Sequence, residues 1–365
     1  MRALLAAILI PALLLLPNRA KAEEIPAQAA YLIEANTGRV IAAQNEHARL
    51  PMASTTKIMT ALLAIESGRL DETVTVVPEA EGTEGSSLYL KAGETLKLID
   101  LVYGLMLRSG NDAAVAIACF LDGSVEAFVE RMNEKADTLS LADTHFANPN
   151  GLHDAAHYTS AHDLCLLAAA ALDDPVFSGI VKTQYYESHG DTLRTWKNKN
   201  RLLWEYEGGV GVKTGYTKAT GKCLAFAAER GDMKLVGAVL NCPAMWDTAK
   251  AMLDDGFARF ETRIFADRRT EWIIPVKNGA KKALSAVPIS CILYTVEIGR
   301  DESFDVEVSL LPALEAPVHA GDAVGTATLL LNGRAVRSVP IVAAESVDTV
   351  GFPEIFRKAV LCYHG

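Results

Sequence analysis

The first part of the chain alternates between strand-like and helix-like patterns of apolar and polar residues. Apolar segments at 29–35 and 39–43 flank the turn residues Asn36-Thr37-Gly38, which predicts a β-hairpin. Apolar positions three and four residues apart predict a helix over 57–67, and Gly68 is typical of the residue that follows a helix. Further helical spacing follows over 98–107, 113–121, much of 125–175 and 247–260.

Two later segments, 223–228 and 235–240, are apolar on both faces and are joined by Arg230-Gly231-Asp232. Short runs of this kind are typical of central strands covered on both sides of a sheet. The sequence therefore predicts helices packed on both faces of a sheet in this part of the chain.

The pattern changes to one strand after another from Trp272 onward. Asn332-Gly333 lies between the strand-like segments 326–331 and 335–342, which predicts a two-residue hairpin. These strands contain no cluster of His, Cys or acidic residues. We predict a small all-β domain over 270–350 that serves as a spacer or a docking module.

The two ends of the chain have patterns of their own. Arg2, an apolar run over 3–16 and Ala20-Lys21-Ala22 are typical of a secretory signal peptide. The run is short for a membrane span. We expect residues 1–22 to be removed during export across the cytoplasmic membrane, so that the protein works in the cell envelope or outside the cell.

The last residues, 351–365, predict a short amphipathic helix, because apolar positions within them recur at helical spacing. Two interpretations remain open. The helix packs on the β domain, or it makes a peripheral membrane contact on the outer face, which Arg357 and Lys358 would favour.

Composition narrows the class of protein. Half of the residues are hydrophobic and 22% are charged, as in a globular protein. The net charge is −10, and loss of residues 1–22 would remove three basic residues and no acidic one, leaving −13. An acidic chain is a poor general nucleic-acid binder, so we expect no nucleic-acid partner.

The cysteines and histidines do not indicate a metal or a cofactor. The six cysteines have mostly apolar neighbours, which favours buried free thiols. There is no C-x-x-C, and His153 and His157 would share a face only on a helix, without the acidic partner of H-E-x-x-H. We expect neither a metal nor a cofactor.

Three short motifs carry the candidate chemistry. Ser54-Thr55-Thr56-Lys57 opens the first long helix, Ser109-Gly110-Asn111 interrupts the second, and Lys213-Thr214-Gly215 begins a strand. Each has an ordinary explanation alone, as a helix cap, a loop or solvated strand residues. Together, however, they occur in a fixed order at a helix start, a helix break and a strand, which are the positions that nucleophilic catalysis by a serine requires. The set therefore predicts a nucleophilic serine site.

Ser54 and Lys57 lie on one helical face, so a neutral lysine could activate the serine hydroxyl. Burial, or the second cation Lys213, would keep Lys57 neutral. The helix N-terminus at Ser54 would direct backbone N–H groups at developing negative charge. Ser109 could relay a proton to the leaving group, and Asn111 could hold Lys57 and a substrate amide.

The third motif suits the binding of a substrate. Lys213 with Thr214 could hold a terminal carboxylate, and Gly215 would let a substrate backbone approach the strand closely. The candidate site therefore lies between the helices that carry Ser109 and the strand that carries Lys213.

The ordered S-x-x-K, S-x-N and K-T-G set resembles that of penicillin-binding proteins and serine β-lactamases. The surrounding segments, over about 25–260, are similar to the low-molecular-mass D-alanyl-D-alanine carboxypeptidases. The similarity rests on residues 51–62, 107–114 and 212–217, and it is weaker at 148–152 and 157–161.

This resemblance implies an α+β fold. The catalytic domain, expected over 23–264, would have an antiparallel sheet flanked by helices and a helical lobe that carries Ser109 and Asn111. The small all-β domain would follow it.

The resemblance also implies an activity. Ser54 would attack the bond between the two terminal D-alanines of a peptidoglycan pentapeptide stem, and water would hydrolyse the resulting acyl-enzyme. Penicillins would act as covalent inhibitors. By the same analogy, the backbone N–H groups of Ser54 and Tyr216 would form the oxyanion hole. Relatives often carry a histidine at the position of Asn150, and some carry one at that of Tyr216, so any role of those histidines does not transfer to this sequence.

Three alternatives use the same fold. A serine β-lactamase of class A would need a glutamate after the S-x-N motif, and 143–148 contains none. A DD-endopeptidase that cuts crosslinks would use the same machinery. A binding protein without turnover would take up the ligand without releasing D-alanine.

Overall fold

The structure is a computed structural model, and it describes residues 24–351. The predicted signal peptide, 1–22, and the amphipathic pattern after Gly351 lie outside the described residues, so both stay predictions.

The described chain begins with strands and then alternates between helices and strands. In chain order, the first elements are β1 Ala29–Glu34, β2 Arg39–Gln44, α1 Lys57–Glu66, β3 Thr73–Thr75, β4 Thr95–Lys97, α2 Leu98–Arg108, α3 Asn111–Asp122, α4 Val125–Thr138, α5 Ala161–Leu172, α6 Pro175–Lys182, β5 Tyr185–Glu187, β6 Thr195–Lys197, α7 Leu202–Glu205, β7 Gly209–Thr217, β8 Gly221–Arg230, β9 Met233–Leu240 and α8 Met245–Arg259. The remaining elements are strands: β10 Phe260–Ala266, β11 Trp272–Lys277, β12 Ala283–Pro288, β13 Ile292–Glu297, β14 Phe304–Leu310, β15 Leu314–Glu315, β16 Ala323–Leu331 and β17 Arg334–Ala343.

An antiparallel sheet with the strand order β2-β1-β9-β8-β7 forms the centre of the first domain. Side chains of β8 alternate between its two faces: Leu224 and Phe226 join the apolar cluster of α8, and Ala225 and Ala227 join that of α1 and α5. Because both faces are covered, a strand such as β8 is apolar throughout. The predicted central strands are confirmed, and so is the α+β fold class.

A helical lobe built from α2, α3 and α4 stands beside α1. The break between α2 and α3 occurs at Ser109, which ends α2 in the left-handed region with φ of 67°. The buried carboxylate of Asp112, one residue inside α3, accepts hydrogen bonds from the backbone of Leu88 and Leu90. These bonds fix the preceding loop against the lobe.

The segment between α4 and α5 differs from the sequence prediction of mostly helix over 125–175. Residues 139–160 run as an irregular chain with two isolated bridges, Leu50 to Thr159 and His145 to Tyr158. Asn148 Oδ1 accepts the backbone N–H groups of Gly151 and Leu152 at 2.7 and 3.1 Å, a local turn that competes with helix. His153 and His157 therefore share no helical face.

The second domain is all-β, as predicted. Its main sheet has the order β14-β16-β17-β12-β11-β15, and β10 pairs with β13. The hairpin between β16 and β17 turns at Asn332 and Gly333, both with positive φ, as the Asn-Gly pair predicted. The domain limits at 264 and 270 stay a prediction, and β10, at Phe260–Ala266, extends across the first of them.

A buried carboxylate joins the two domains. Glu34, at the end of β1, accepts hydrogen bonds from Thr37 N at 2.9 Å, Thr37 Oγ1 at 2.6 Å and, across the junction, Thr295 Oγ1 of β13 at 3.1 Å. Nearby, Arg39 pairs with Glu302 at 2.6 Å. The first hairpin of the chain thus anchors the β domain.

Cysteine burial only partly follows the prediction. All five cysteines within 24–351 are free thiols; Cys165, Cys223 and Cys242 are buried, but Cys119 is half-buried and Cys291 is exposed. Cys362 lies outside the described residues.

In the described part of the chain, no single helix is long and apolar enough to cross a membrane. The pair α5 and α6, bent by 104°, meets the same length and composition criteria only when the two are taken together.

We expect Glu34→Gln to lower the free energy of unfolding by about 1–3 kcal/mol, because an amide N–H₂ would face buried donors that now meet a carboxylate oxygen. Urea unfolding monitored by far-UV circular dichroism measures this change. Glu66→Gln, which loses only an exposed pair with Lys135, is the matched control. Equal stability of the two variants would contradict the role of Glu34.

Candidate active site

Ser54 lies in a single 3-10 turn, Ala53–Thr56, directly before α1. Ala53 enters this turn with φ of +49°, a conformation that non-glycine residues rarely adopt. The turn exposes the Ser54 side chain partly, while Lys57 on the next turn is completely buried at 0% exposure. Their reactive atoms, Ser54 Oγ and Lys57 Nζ, are 2.9 Å apart.

Three oxygens surround the Lys57 amine. Besides Ser54 Oγ, they are Asn111 Oδ1 at 2.7 Å and the backbone carbonyl of Asn150. No carboxylate within residues 24–351 forms an ion pair with Lys57. Burial, and secondly the nearby charge of Lys213, hold the pKa of Lys57 well below its ordinary value.

Asn111 owes its orientation to the helix break. It is the first residue of α3, and its Nδ2 donates to the carbonyl of Glu84 at 2.5 Å. Because the amide nitrogen is engaged there, Oδ1 faces Lys57. The break between α2 and α3 thus directs the side chains of Ser109 and Asn111 into one cleft.

Lys213 approaches the same cleft from β7, the edge strand of the sheet. Its Nζ donates to Ser109 Oγ at 3.1 Å and to the Thr214 carbonyl at 2.9 Å. Burial, and then the charge of Lys199, lower the pKa of Lys213 to about 7. The structure therefore brings Ser54, Lys57, Ser109, Asn111 and Lys213 together around one cleft.

Gly215 and Tyr216 complete the strand side of the site. A Cβ on Gly215 would lie 2.8 Å from the Met52 carbonyl oxygen and 3.2 Å from Ser54 N, so only glycine fits between β7 and the serine turn. Tyr216, the next residue, leaves its side chain 64% exposed. Thr214 is half-buried and faces the cavity shared by Ser109 and Lys213.

Lys199 is a cation that the sequence analysis missed. It lines the cavity with Ser109, Lys213 and Thr214, and burial, with the charge of Arg108, lowers its pKa. Neither Lys199 nor Lys213 pairs with a carboxylate in the described chain. The signal available beforehand was weak, because Lys199 occurs between two asparagines in a segment without regular periodicity.

The carbonyl of Asn150 was also missed, although 148–152 had been noted as similar to the family. A backbone acceptor leaves little trace in a sequence. The trace here is Gly151, which has φ of +85° and whose Cβ would lie 2.0 Å from the Ala53 carbonyl oxygen. Glycine at this position lets the loop approach the serine turn closely enough to reach Lys57.

Titratable groups elsewhere do not form a metal site. Among residues 24–351, no group of three or more His, Cys, Asp or Glu side chains could hold a metal ion. The reactive groups that meet in the cleft are the Ser54 hydroxyl and the buried Lys57 amine.

Comparison with known proteins agrees with this geometry. Residues 17–244 match the family described as D-alanyl-D-alanine carboxypeptidase. The chain belongs to this family. Residues 260–349 match a second family, described as the C-terminal domain of penicillin-binding protein 5. The resemblance inferred from the three motifs is confirmed, and the chain is a serine-type peptidase, a hydrolase.

Individual relatives extend over most of the chain. The D-alanyl-D-alanine carboxypeptidase DacF of Bacillus subtilis is 33% identical over 347 residues, covering 92% of this chain and 89% of the relative. DacA of Escherichia coli is 33% identical over 90% of this chain and 85% of its own length. The structure of penicillin-binding protein 5 from Haemophilus influenzae superposes with a TM-score of 0.74 and 28% identity, covering 90% of this chain and 99% of that one. The similarity to these relatives thus extends over the β domain as well as the catalytic one.

We expect Lys199→Met to raise the pKa of both Lys213 and Lys57, because the charge of Lys199 lowers both. Titration of lysine side chains by NMR measures the change. Lys218→Met, which removes an exposed cation beyond the end of β7, is the control and should leave both values in place. An unchanged Lys213 pKa in the Lys199 variant would contradict the electrostatic coupling.

Proposed function

We propose that this protein is a serine D-Ala-D-Ala carboxypeptidase that removes the terminal D-alanine from peptidoglycan pentapeptide stems through an acyl-enzyme on Ser54. The observation that carries the proposal is the fully buried Lys57 amine, 2.9 Å from Ser54 Oγ and without a carboxylate partner in the described residues. The names of the relatives support the substrate class, because they are D-alanyl-D-alanine carboxypeptidases.

Neutral Lys57 has the hydrogen-bonding groups that a general base requires. Its two N–H groups donate to Asn111 Oδ1 and the Asn150 carbonyl, and its lone pair then faces the Ser54 hydroxyl. As Ser54 Oγ attacks the carbonyl carbon of the penultimate D-alanine, its proton passes to Lys57 Nζ. Burial keeps the amine neutral enough to accept this proton.

The tetrahedral intermediate carries its negative charge on the former carbonyl oxygen. The backbone N–H groups of Ser54 and Tyr216 are proposed to bind this oxygen, an assignment supported by the close packing of Gly215 against Ser54 N. The helix that begins at this turn adds the positive end of its dipole.

Collapse of the intermediate breaks the C–N bond and releases D-alanine. Ser109 is proposed to relay a proton to the leaving nitrogen: its hydroxyl gives its hydrogen to the nitrogen and takes in exchange the proton that Lys57 received from Ser54, so that Lys57 is neutral again. Lys213 donates to the Ser109 oxygen and leaves the Ser109 hydrogen free for the substrate. Water then hydrolyses the ester and restores Ser54. Asn111 is proposed to contact the substrate amide as well as Lys57.

The proposed binding site for the terminal carboxylate has one buried cation, Lys213, and one cation nearer the surface, Lys199. Lys213 and Lys199 line one cavity, and Thr214 adds a hydroxyl. Two partly desolvated cations without a carboxylate in the described protein favour an anionic ligand. Gly215 and Tyr216 are proposed to align the substrate backbone along the edge of β7.

The alternatives are separated by the same observations. A class A β-lactamase would need a carboxylate to activate water, and Asp112, the acid whose charge reaches Lys57, is engaged by the backbone of Leu88 and Leu90. A DD-endopeptidase would use the same site residues, and cleavage of a crosslinked dimer of peptidoglycan stem peptides would reveal that activity. A binding protein without turnover would bind β-lactams and release no D-alanine.

Location follows from substrate and sequence together. Family members act on the cell wall, so we propose that residues 1–22 direct export to the envelope. Residues 351–365 are proposed to make a peripheral contact with the outer face of the cytoplasmic membrane.

We expect the mature protein to release D-alanine from diacetyl-Lys-D-Ala-D-Ala, and Ser54→Ala to abolish that release. Labelled penicillin should form a covalent adduct with the parent and none with Ser54→Ala. Thr328→Ala, at a half-buried hydroxyl of β16 in the second domain, is the control. Release that persists in Ser54→Ala would refute the role of Ser54, and absence of release from the parent would refute the proposed activity.

We expect Lys213→Met to raise KM for the free-carboxylate peptide at least tenfold, because a buried charge-assisted contact is lost. The parent should prefer this peptide strongly over its C-terminal amide, and Lys213→Met should lose most of that preference. Lys218→Met should keep it. A preference that survives in Lys213→Met would contradict carboxylate binding by Lys213.

A further inference from the structure

His157 is a buried histidine that the proposed mechanism does not use. It belongs to the irregular segment between α4 and α5, where its ring packs edge-on against Phe146 with the ring centres 5.9 Å apart. Its two nitrogens face two different partners. Nδ1 lies 2.9 Å from the backbone nitrogen of Ala147, and Nε2 lies 2.6 Å from Thr56 Oγ1.

These contacts assign the tautomer of the ring. The Ala147 N–H can only donate, so Nδ1 accepts and carries no proton. A neutral imidazole then has its proton on Nε2, which donates to Thr56 Oγ1. The Thr56 hydroxyl in turn donates to the Ala53 carbonyl oxygen at 2.7 Å. One directed series of hydrogen bonds therefore runs from Ala147 to Ala53.

The last acceptor of this series, the Ala53 carbonyl, belongs to the peptide group that joins Ala53 to Ser54. The Ala53 carbonyl and the Ser54 N–H belong to one planar group, in which the two bonds point in opposite directions. Holding the carbonyl oxygen from one side therefore fixes the direction of the Ser54 N–H on the other. The unit needs such support, because Ala53 has φ of +49° and the turn has no side-chain cap.

We propose that His157, acting through Thr56, is a positioning residue that fixes the Ala53–Ser54 peptide plane and thereby aims the Ser54 N–H at the oxyanion. The inference rests on the proposed function, in which that N–H binds the developing negative charge. His157 itself touches neither the substrate nor the reacting atoms.

The surroundings of His157 favour the neutral form that this role requires. Burial lowers its pKa to about 4. A doubly protonated ring could not accept from Ala147 N–H, so neutrality preserves the direction of the whole series.

The test compares four variants that separate this role from simple packing. Thr56→Val and His157→Leu remove the series at either end, whereas Thr56→Ser and His157→Gln keep a hydroxyl and an N–H donor at the required positions. His153→Leu, an exposed histidine four residues away, is the matched control. All are measured well below their melting temperatures.

We expect Thr56→Val and His157→Leu to lower kcat for D-alanine release and the rate of acylation by penicillin about tenfold to hundredfold, with KM nearly unchanged. Affinity for a peptidyl boronic acid, whose tetrahedral adduct places an oxygen in the oxyanion hole, should fall by a similar factor. The double variant should be no worse than either single one, because both remove one series. Thr56→Ser and His157→Gln should recover most of the loss.

Parental kcat and boronate affinity in Thr56→Val would overturn the inference. So would losses that multiply in the double variant, since they would mean that the two residues act separately. If His157→Leu fails to fold, Thr56→Val and His157→Gln still decide the matter. Absence of D-alanine release from the parent would refute the proposed function instead.

Discussion

The buried amine of Lys57 is the constraint on which the rest of the site depends. A lysine removed from water and given no carboxylate partner is stable mainly as a neutral amine, and a neutral amine needs two acceptors for its N–H groups and one donor for its lone pair. The fold supplies them from three separate segments: the serine turn, the start of α3 and the loop at Asn150. Burial thus stabilises the protonation state that catalysis requires, and the acceptors fix where the lone pair points.

The same constraint explains why glycines and unusual backbone conformations gather around the serine turn. Gly151 and Gly215 let the loop and β7 pack directly against the backbone of Ala53 and Ser54, where any side chain would collide. Ala53 itself takes a positive φ, and Ser109 ends α2 with another. Local strain of this kind persists only where the surroundings hold it, and it is typical of functional sites.

Two cationic side chains beside the neutral amine affect both its protonation and the ligand that the cleft can bind. Lys213 and Lys199 share one cavity, and each lowers the proton affinity of Lys57. They remain free of carboxylates in the described residues, which suits a site that must receive an anionic chain end. In the proposed mechanism, substrate binding and activation of the base are coupled by charge as well as by position, because an arriving carboxylate would stabilise the protonated form of Lys213.

The sequence alone determined the local features: the helices that follow the first two motifs, the apolar strands at the centre, the Asn332-Gly333 hairpin, and the residue types Ser54, Lys57, Ser109, Asn111 and Lys213. Periodicity and turn chemistry are properties of neighbouring residues, so a sequence can reveal them. Tertiary structure alone decided that 139–160 is irregular, that the Asn150 carbonyl reaches Lys57, and that Lys199 and His157 border the site. Each of these depends on contacts between distant segments, made through backbone atoms or single side chains that leave no periodic pattern.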